Sequence, residues 1–313
     1  MSKDQPIYGV DISGWQRGID LAQVAREGYE FCVVKATEGP MHDGWIFTNP
    51  HYETQLAAAR AVGLLTGSYH FLVEGPADAQ VDHFLEAVGD PTAQLVMIDF
   101  EEYSNRDYPH YDPTNATLKA FVAELQQRIG PRPVLLYSGR GYGNGGTPSG
   151  DVSQYGKGLV TWDAFYPLHP QAGLGSALYE RVKDSGWGER WGNQEPKIWQ
   201  FSAHGRVAGM EIDVNAFSGT REELYALAVL KWSRGDSNPR PPPCKGGRPK
   251  FQPVLLRLFT WLTYAVPPFA RGAHVPTRAD PYRPGCSTVA VASSEMPPEA
   301  LRKIDGRRAR KAV

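Results

Sequence analysis

VMIDFEEY, at residues 96–103, is the stretch that decides the fold. An apolar run of strand-forming residues leads directly into Asp99, Glu101 and Glu102. A strand that is apolar along its whole length is typical of a parallel sheet whose two faces are both covered. The carboxylates then mark the end of the strand, where we expect the buried sheet to open into a cleft.

The first 230 residues contain further segments of this kind, and helical patterns separate several of them. The predicted strands, in chain order, are 7–13, 29–39, 64–72, 94–102, 133–139, 158–166, 196–202 and 210–217. The predicted helices are 19–28, 49–63, 77–89 and 116–130. About eight strands that alternate with helices predict a closed α/β barrel of the TIM-like type rather than an open sheet. Because helical patterns become scarce after residue 140, we expect an irregular barrel with few helices in its C-terminal half.

The charge of the chain is unevenly divided. Residues 1–230 hold 17 Lys and Arg against 29 Asp and Glu, a net charge of −12, whereas residues 231–313 hold 16 against 5, a net of +11. The acidic part argues against nucleic acid as a partner, because phosphate binding needs a basic surface. The N-terminus has no apolar signal core, and no apolar run reaches the roughly 20 residues of a membrane helix. We therefore expect no membrane span and no cleaved signal peptide.

Asp99 and Glu101 are predicted to share one face of their strand, since residues two apart on a strand point the same way. Two such close carboxylates cannot both ionise freely, so the pKa of one should rise. The pair can supply the acid and the anion that glycosidic cleavage needs, although acid pairs also occur in metal sites and among solvated loop charges. Asp11 and Asp213 close the first and last strands. Because those strands are neighbours in a closed barrel, we expect both acids near the pair.

Other polar and aromatic residues also fall near predicted strand ends. Aromatic rings with polar edges suit sugars, which stack by their C–H surfaces and hydrogen-bond by their hydroxyls. Lys35 interrupts an apolar strand and needs a carboxylate partner, which the acid cluster could provide. His70 is either a structural histidine, satisfied in the core, or a ligand. The candidate substrate-binding residues are Lys35, Tyr69, His70, Tyr137, Trp162 and Trp199.

Six segments in order along the chain together resemble glycoside hydrolase family 25, the lysozymes that cut β-1,4 bonds after N-acetylmuramic acid in peptidoglycan. The segments are GVDISGWQ, FCVVKATEG, GSYHF, MIDFEE, LLYSG, and WQFS followed by EIDVNAF. The resemblance covers residues 6–228, so we expect residues 1–230 to form one catalytic barrel. It implies an enzyme that binds peptidoglycan glycan strands outside the cell, without cofactor or metal. We further expect a monomer, exported by phage-type lysis or another non-classical route.

The resemblance also implies a role for each acid. Glu101 matches the family's general acid, which protonates the glycosidic oxygen, and Asp99 matches the partner that stabilises positive charge on the sugar or on the 2-acetamido group. Asp11 and Asp213 match two further acids that line the site. Two alternatives stay open: a barrel that binds muropeptides without cutting them, and a metal-dependent hydrolase that uses these carboxylates with His70. The stretch 167–195 departs from the family pattern and is expected to be a longer or different loop.

Residues 231–313 differ in composition from the rest of the chain, with 13 of the 26 prolines and most of the net positive charge. One interpretation is a basic segment that attaches to the wall or the membrane. We favour another, because WSRGDSNPRPPPCKGG resembles the conceptual translation of the reverse strand of a transfer-RNA gene. This resemblance indicates a reading frame that continues past a natural stop near residue 230. The segment would then have no selected fold and should be disordered.

Overall fold

The computed structural model describes residues 6–102, 111–139, 150–168, 173–187 and 193–229. The basic segment 231–313, with its predicted disorder and read-through origin, lies outside these ranges. Within them, no helix is both long enough and apolar enough to cross a membrane.

Strands of the described ranges form one sheet that closes on itself. They are β1 (Ile7–Ile12), β2 (Tyr29–Glu38), β3 (Phe47–Thr48), β4 (Leu65–Phe71), β5 (Leu95–Asp99), β6 (Val134–Gly139), β7 (Leu159–Ala164), β8 (Gly173–Leu174), β9 (Ile198–Val207) and β10 (Met210–Phe217). All except the two-residue β3 and β8 belong to the barrel, in the order β1, β2, β4, β5, β6, β7, β9, β10 and back to β1. The eight predicted strands and the closed α/β barrel are confirmed.

Helices cover the outside of the barrel. In the described ranges they are α1 (Leu21–Arg26), α2 (Tyr52–Ala61), α3 (Ala77–Val88), α4 (Asn115–Ile129), α5 (Gly175–Gly186) and α6 (Arg221–Ala228). The first four correspond to the predicted helices. The fifth lies inside the stretch 167–195, so the expectation of a loop throughout that stretch was wrong. Its Leu178, Tyr179 and Val182 are buried in the layer between sheet and helices, and this apolar stripe holds α5 against the barrel.

One strand departs from the predicted parallel arrangement. β10 runs antiparallel to both of its neighbours, whereas the other barrel strands pair in parallel. Only Ala208 and Gly209 link β9 to β10, and a two-residue connection can join only antiparallel strands. Their φ angles are 49° and 77°, and positive φ at both central residues is typical of a type I′ hairpin turn.

Alternation along each strand divides the buried side chains into two layers. The barrel interior packs around Phe31, Met97 and Trp162. Gly9 leaves the space for this packing, since a Cβ at that position would lie 2.2 Å from the Phe31 ring. The larger outer layer lies between the strands and the helices. Which layer a strand residue belongs to decides whether it can reach the open end of the barrel.

Candidate active site

The four acids singled out from the sequence lie at one end of the barrel. Asp11 and Asp99 stand at the C-terminal ends of β1 and β5, with Glu101 two residues further on. Asp213 is directly opposite Asp11 in the antiparallel pairing of β10 with β1. Asp99 interacts electrostatically with Asp11 and Glu101, and Tyr166 interacts with Asp213, Glu101 and Asp11. Three separate segments, β1, the end of β5 and β10, therefore bring four carboxylates to one cluster.

Asp99 is buried at 6% exposure, and its Oδ1 has no hydrogen-bond partner among the described residues. Burial raises the pKa of Asp99 well above its usual range, and the charges of Glu101, Asp11 and Glu38 raise it further. The Lys35 ammonium acts in the opposite direction but is a smaller influence than burial. The resting protein thus favours a protonated Asp99, because the anion would be poorly solvated and surrounded by like charges.

Asp11 has a different environment, although it too is buried. Its Oδ2 accepts hydrogen bonds from Gln200 Nε2 at 2.9 Å and from Asn215 Nδ2 at 2.7 Å. The hydroxyl of Tyr137 donates to Gln200 Oε1 at 2.9 Å, and Trp162 Nε1 donates to Asn215 Oδ1 at 3.0 Å. Donors that converge on a carboxylate favour its ionised form. The two buried acids of the cluster therefore differ in the hydrogen bonds that they accept.

Gln200 and Asn215 were missed in the sequence, and strand alternation could have found both. Asn215 is two residues after Asp213, so it shares the inward face of β10 with that acid. Gln200 follows Trp199 on β9, so the two side chains point to opposite layers. Tyr166, whose hydroxyl also donates to Gln200 Oε1, was missed because it lies just beyond the end of β7.

Lys35 also reaches the acid end, but its carboxylate partner was not among the four predicted acids. Its Nζ lies 2.5 Å from Glu38 Oε2 and 4.6 Å from the centre of the Phe71 ring. Residues three apart on a regular strand point to opposite faces. Here Lys35 is in register with Tyr69 and Glu38 with Phe71, so β2 uses three steps where β4 uses two. This bulge brings both charges to one face.

Two of the aromatic candidates lie inside the barrel close to the acids. Tyr69 and Tyr137 are 8% and 7% exposed, and Tyr137 is in register with Asp99 on the neighbouring strand. Burial raises the pKa of Tyr137 well above its usual range, so its hydroxyl stays a donor. Trp162 belongs to the same interior layer but is fully buried. Its Nε1 donates to Asn215 Oδ1, and its ring has no exposed surface on which a sugar could stack.

His70 was expected to contact substrate, and the structure places it elsewhere. It is fully buried on the outer side of β4, where its ring stacks on Phe121 with 5.0 Å between ring centres. Its Nδ1 lies 2.8 Å from Thr37 Oγ1 and its Nε2 lies 3.1 Å from Gln80 Oε1. Burial lowers the pKa of His70 to about 3, so it stays neutral. His70 is therefore a structural histidine whose hydrogen bonds are made within the core, which is the first of the two roles considered from the sequence.

Trp199 likewise faces the outer layer, because Gln200 takes the inward position beside it. Its Nε1 donates to the Phe165 carbonyl oxygen at 2.8 Å, and its ring packs edge-on against Tyr179 of α5 and Trp187. At 1% exposure it has no surface for a sugar. The expectation of a substrate contact at this position was therefore wrong.

The metal alternative relied on His70 together with the acids. Because His70 points away from the cluster, that ligand set does not assemble. In the part of the chain that the structure describes, no group of three or more His, Cys, Asp or Glu side chains is arranged to hold a metal ion.

Comparisons with known proteins agree with this geometry. The Escherichia coli O157:H7 protein YegX is 27% identical over 239 residues, which cover 71% of this chain and 73% of that protein. Lysozyme M1 of Streptomyces globisporus is 24% identical over 242 residues, covering 71% of each chain. The crystal structure of a bacterial lysozyme from Streptomyces coelicolor shows the same fold, with a TM-score of 0.57 and 24% identity over 72% of this chain and 97% of that one. A family model, glycosyl hydrolases family 25, matches residues 10–210, a segment that contains three of the four clustered acids, and the chain belongs to this family.

Proposed function

We propose that the protein hydrolyses the β-1,4 bond between N-acetylmuramic acid and N-acetylglucosamine in bacterial peptidoglycan. The observation that carries the proposal is the cluster of Asp11, Asp99, Glu101 and Asp213 at the open end of the barrel. Family membership supports glycoside hydrolysis, and the relatives named lysozymes support the cell wall as the place of action.

Glu101 is the proposed general acid. It lies beyond the end of β5 and is partly exposed, whereas Asp99 is buried beside it. A glycosidic oxygen can therefore reach Glu101 directly. Glu101 donates its proton to this oxygen as the bond to the sugar breaks, so the leaving group departs as a neutral alcohol.

Asp99 is proposed to stabilise the positive charge that then develops on the sugar or on its 2-acetamido group. Its Oδ1 has no hydrogen-bond partner in the part of the chain that the structure describes, and it can accept the N–H of that acetamido group. A donor at this oxygen favours the ionised form of Asp99, and the proton is then better held by Glu101. Substrate binding would in this way move the pair from its resting state to the reactive one.

Of the six candidate substrate contacts, Lys35, Tyr69 and Tyr137 stay in the proposal. Lys35 offers an ammonium and the tyrosines offer ring edges next to the acids. Trp162 acts through Asn215, and His70 and Trp199 belong to the outer layer.

The Glu101→Gln variant tests the assignment of the general acid. It keeps the size and polarity of the side chain but removes the proton, so we expect clearing of a peptidoglycan suspension to slow by about 10²- to 10⁴-fold. Glu102→Gln is the matched control, because it makes the same chemical change at the neighbouring position, which is exposed. It should clear walls at the rate of the unmodified protein. A Glu101→Gln protein that is folded and clears walls at near that rate would refute the assignment.

A further inference from the structure

We propose that Asn215 and Gln200 are positioning residues that keep Asp11 ionised throughout the reaction, and that Trp162 and Tyr137 fix the direction of the two amides. We call this arrangement of Asp11, Asn215, Gln200, Trp162 and Tyr137 the amide clamp. The inference rests on the proposed function, because it concerns the same site.

The first step of the argument is that both amides donate to one atom. Gln200 Nε2 and Asn215 Nδ2 converge on Asp11 Oδ2, at 2.9 and 2.7 Å. A hydroxyl hydrogen on that oxygen would collide with both N–H groups. Hydrogen bonds to a charged acceptor are roughly twice as strong as neutral ones, so two of them favour the anion.

The second step is that neither amide can turn around. An indole N–H is a donor only, so Asn215 must present its oxygen to Trp162 and its nitrogen to Asp11. A reversed Asn215 would set N–H against N–H and oxygen against carboxylate. Gln200 keeps its direction for a different reason: a reversed amide would set its oxygen against the Asp11 carboxylate, and in the observed direction its Oε1 accepts the Tyr137 hydroxyl.

The third step is that water cannot replace these contacts. Asn215 and Trp162 are 0% exposed and Gln200 is 1% exposed. Leaving a buried polar group without its partner is unfavourable, so the chain of hydrogen bonds from Trp162 to Asp11 is maintained as a unit. By contrast, Asp99 Oδ1 has no such donor within the described ranges.

The clamp has a consequence for the acid pair. A permanent negative charge on Asp11 favours the proton on Asp99 and Glu101, and Asp11 is one of the charges that raise the pKa of Asp99. The cluster then contains one acid of constant charge and a pair that exchanges a proton. A nearby acid that stays negative helps the general acid, because the general acid must still hold its proton when substrate arrives.

Several other groups surround Asp11, and most of them stay uncharged over the pH range of the test. Burial raises the pKa values of the Cys32 thiol and of the two tyrosine hydroxyls, so the carboxyl groups and Lys35 are the neighbours whose charge can matter in the test. The titratable groups around Asp11 are Cys32, Lys35 and Glu38 on β2, Asp99 on β5 with Glu101 beyond it, Tyr137 on β6, Tyr166 after β7, and Asp213 on β10.

The test compares the pH dependence of kcat/KM for three variants. Asn215→Leu removes one donor, and Trp162→Phe removes the indole N–H that orients Asn215 while keeping a buried ring. In both, Asp11 takes up a proton more readily, so we expect the acidic limb of the profile to move to higher pH, by about one pH unit for Asn215→Leu and less for Trp162→Phe. Trp199→Phe is the control, because this equally buried indole donates to a backbone carbonyl in the outer layer. Its acidic limb should not move.

A second measurement does not depend on activity. Titration of the Asp11 carboxyl carbon by ¹³C NMR, assigned with Asp11→Asn, should show ionisation at higher pH in the Asn215→Leu and Trp162→Phe proteins than in the unmodified protein. If the unmodified protein released no glycan fragments, the proposed function would fail while this titration still tested the clamp. An unchanged Asp11 titration in both variants, or an acidic limb that moves equally in Trp199→Phe, would overturn the inference.

Discussion

At residue 99 the barrel buries a carboxyl group, and none of the described residues donates a hydrogen bond to its Oδ1. The pKa of this group is higher in the folded protein than in the unfolded chain. Its stabilising contribution is therefore present at low pH and is lost as the pH rises through the folded pKa, because the unfolded aspartate ionises first. The arrangement is typical of a site where function is maintained at a cost in stability.

Asp99→Asn removes this effect while keeping the shape of the protonated acid. We expect the free energy of unfolding to increase at pH 7, and the increase to shrink toward zero at pH 4. Urea unfolding at the two pH values measures it. The exposed Glu102→Gln control should show no such pH-dependent gain. An Asp99→Asn protein that is less stable than the original at pH 7 would show that the folded state does not disfavour the Asp99 anion.

Single residues also show where the sequence was informative and where it was not. The strand ends of VDIS, MIDFEE and EIDVN point directly to Asp11, Asp99, Glu101 and Asp213. The sequence does not reveal that Glu38 partners Lys35, since the bulge that brings them together follows from the register with β4. His70 and Trp199 looked like site residues because they lie near strand ends, but nearness to a strand end does not decide which layer a side chain enters, whereas alternation along the strand does.

At the scale of secondary-structure elements, the apolar runs of the sequence predicted every barrel strand. They did not indicate whether a strand runs parallel or antiparallel to its neighbours. The antiparallel course of β10 follows from the short link Ala208–Gly209, which the sequence does contain. The start of the helix α6 could also have been predicted, because Thr220 and Glu223 form a capping box there. The helix α5 was harder to predict, since its apolar stripe is short and glycine-rich segments flank it.

The hairpin between β9 and β10 gives a prediction on stability. Ala208 has a φ angle of 49°, which alanine adopts less readily than asparagine. Ala208→Asn creates the Asn-Gly pair preferred in type I′ turns and should stabilise the protein by about 0.5–1 kcal/mol. Ala208→Val should destabilise it, because a β-branched residue resists positive φ. Thermal melting of both variants measures the effect, and the same melting temperature for the two would contradict the type I′ assignment.

At the scale of the whole molecule, barrel closure is what turns scattered acids into a site. Asp11 and Asp213 are about two hundred positions apart in the chain, yet they face each other because β10 pairs with β1. The predicted closed barrel is confirmed, and with it the expectation that first and last strands are neighbours. The amide clamp could not be predicted at this scale, since it depends on side chains from five strands that meet only after closure.

The proposed activity concerns a single type of bond, and the products of the reaction report on it directly. Purified peptidoglycan should be digested with the protein and the fragments identified by mass spectrometry after reduction with borohydride. We expect every new reducing end to be N-acetylmuramic acid, with the peptide stems still attached. New reducing ends on N-acetylglucosamine, or free peptides without glycan cleavage, would contradict the account.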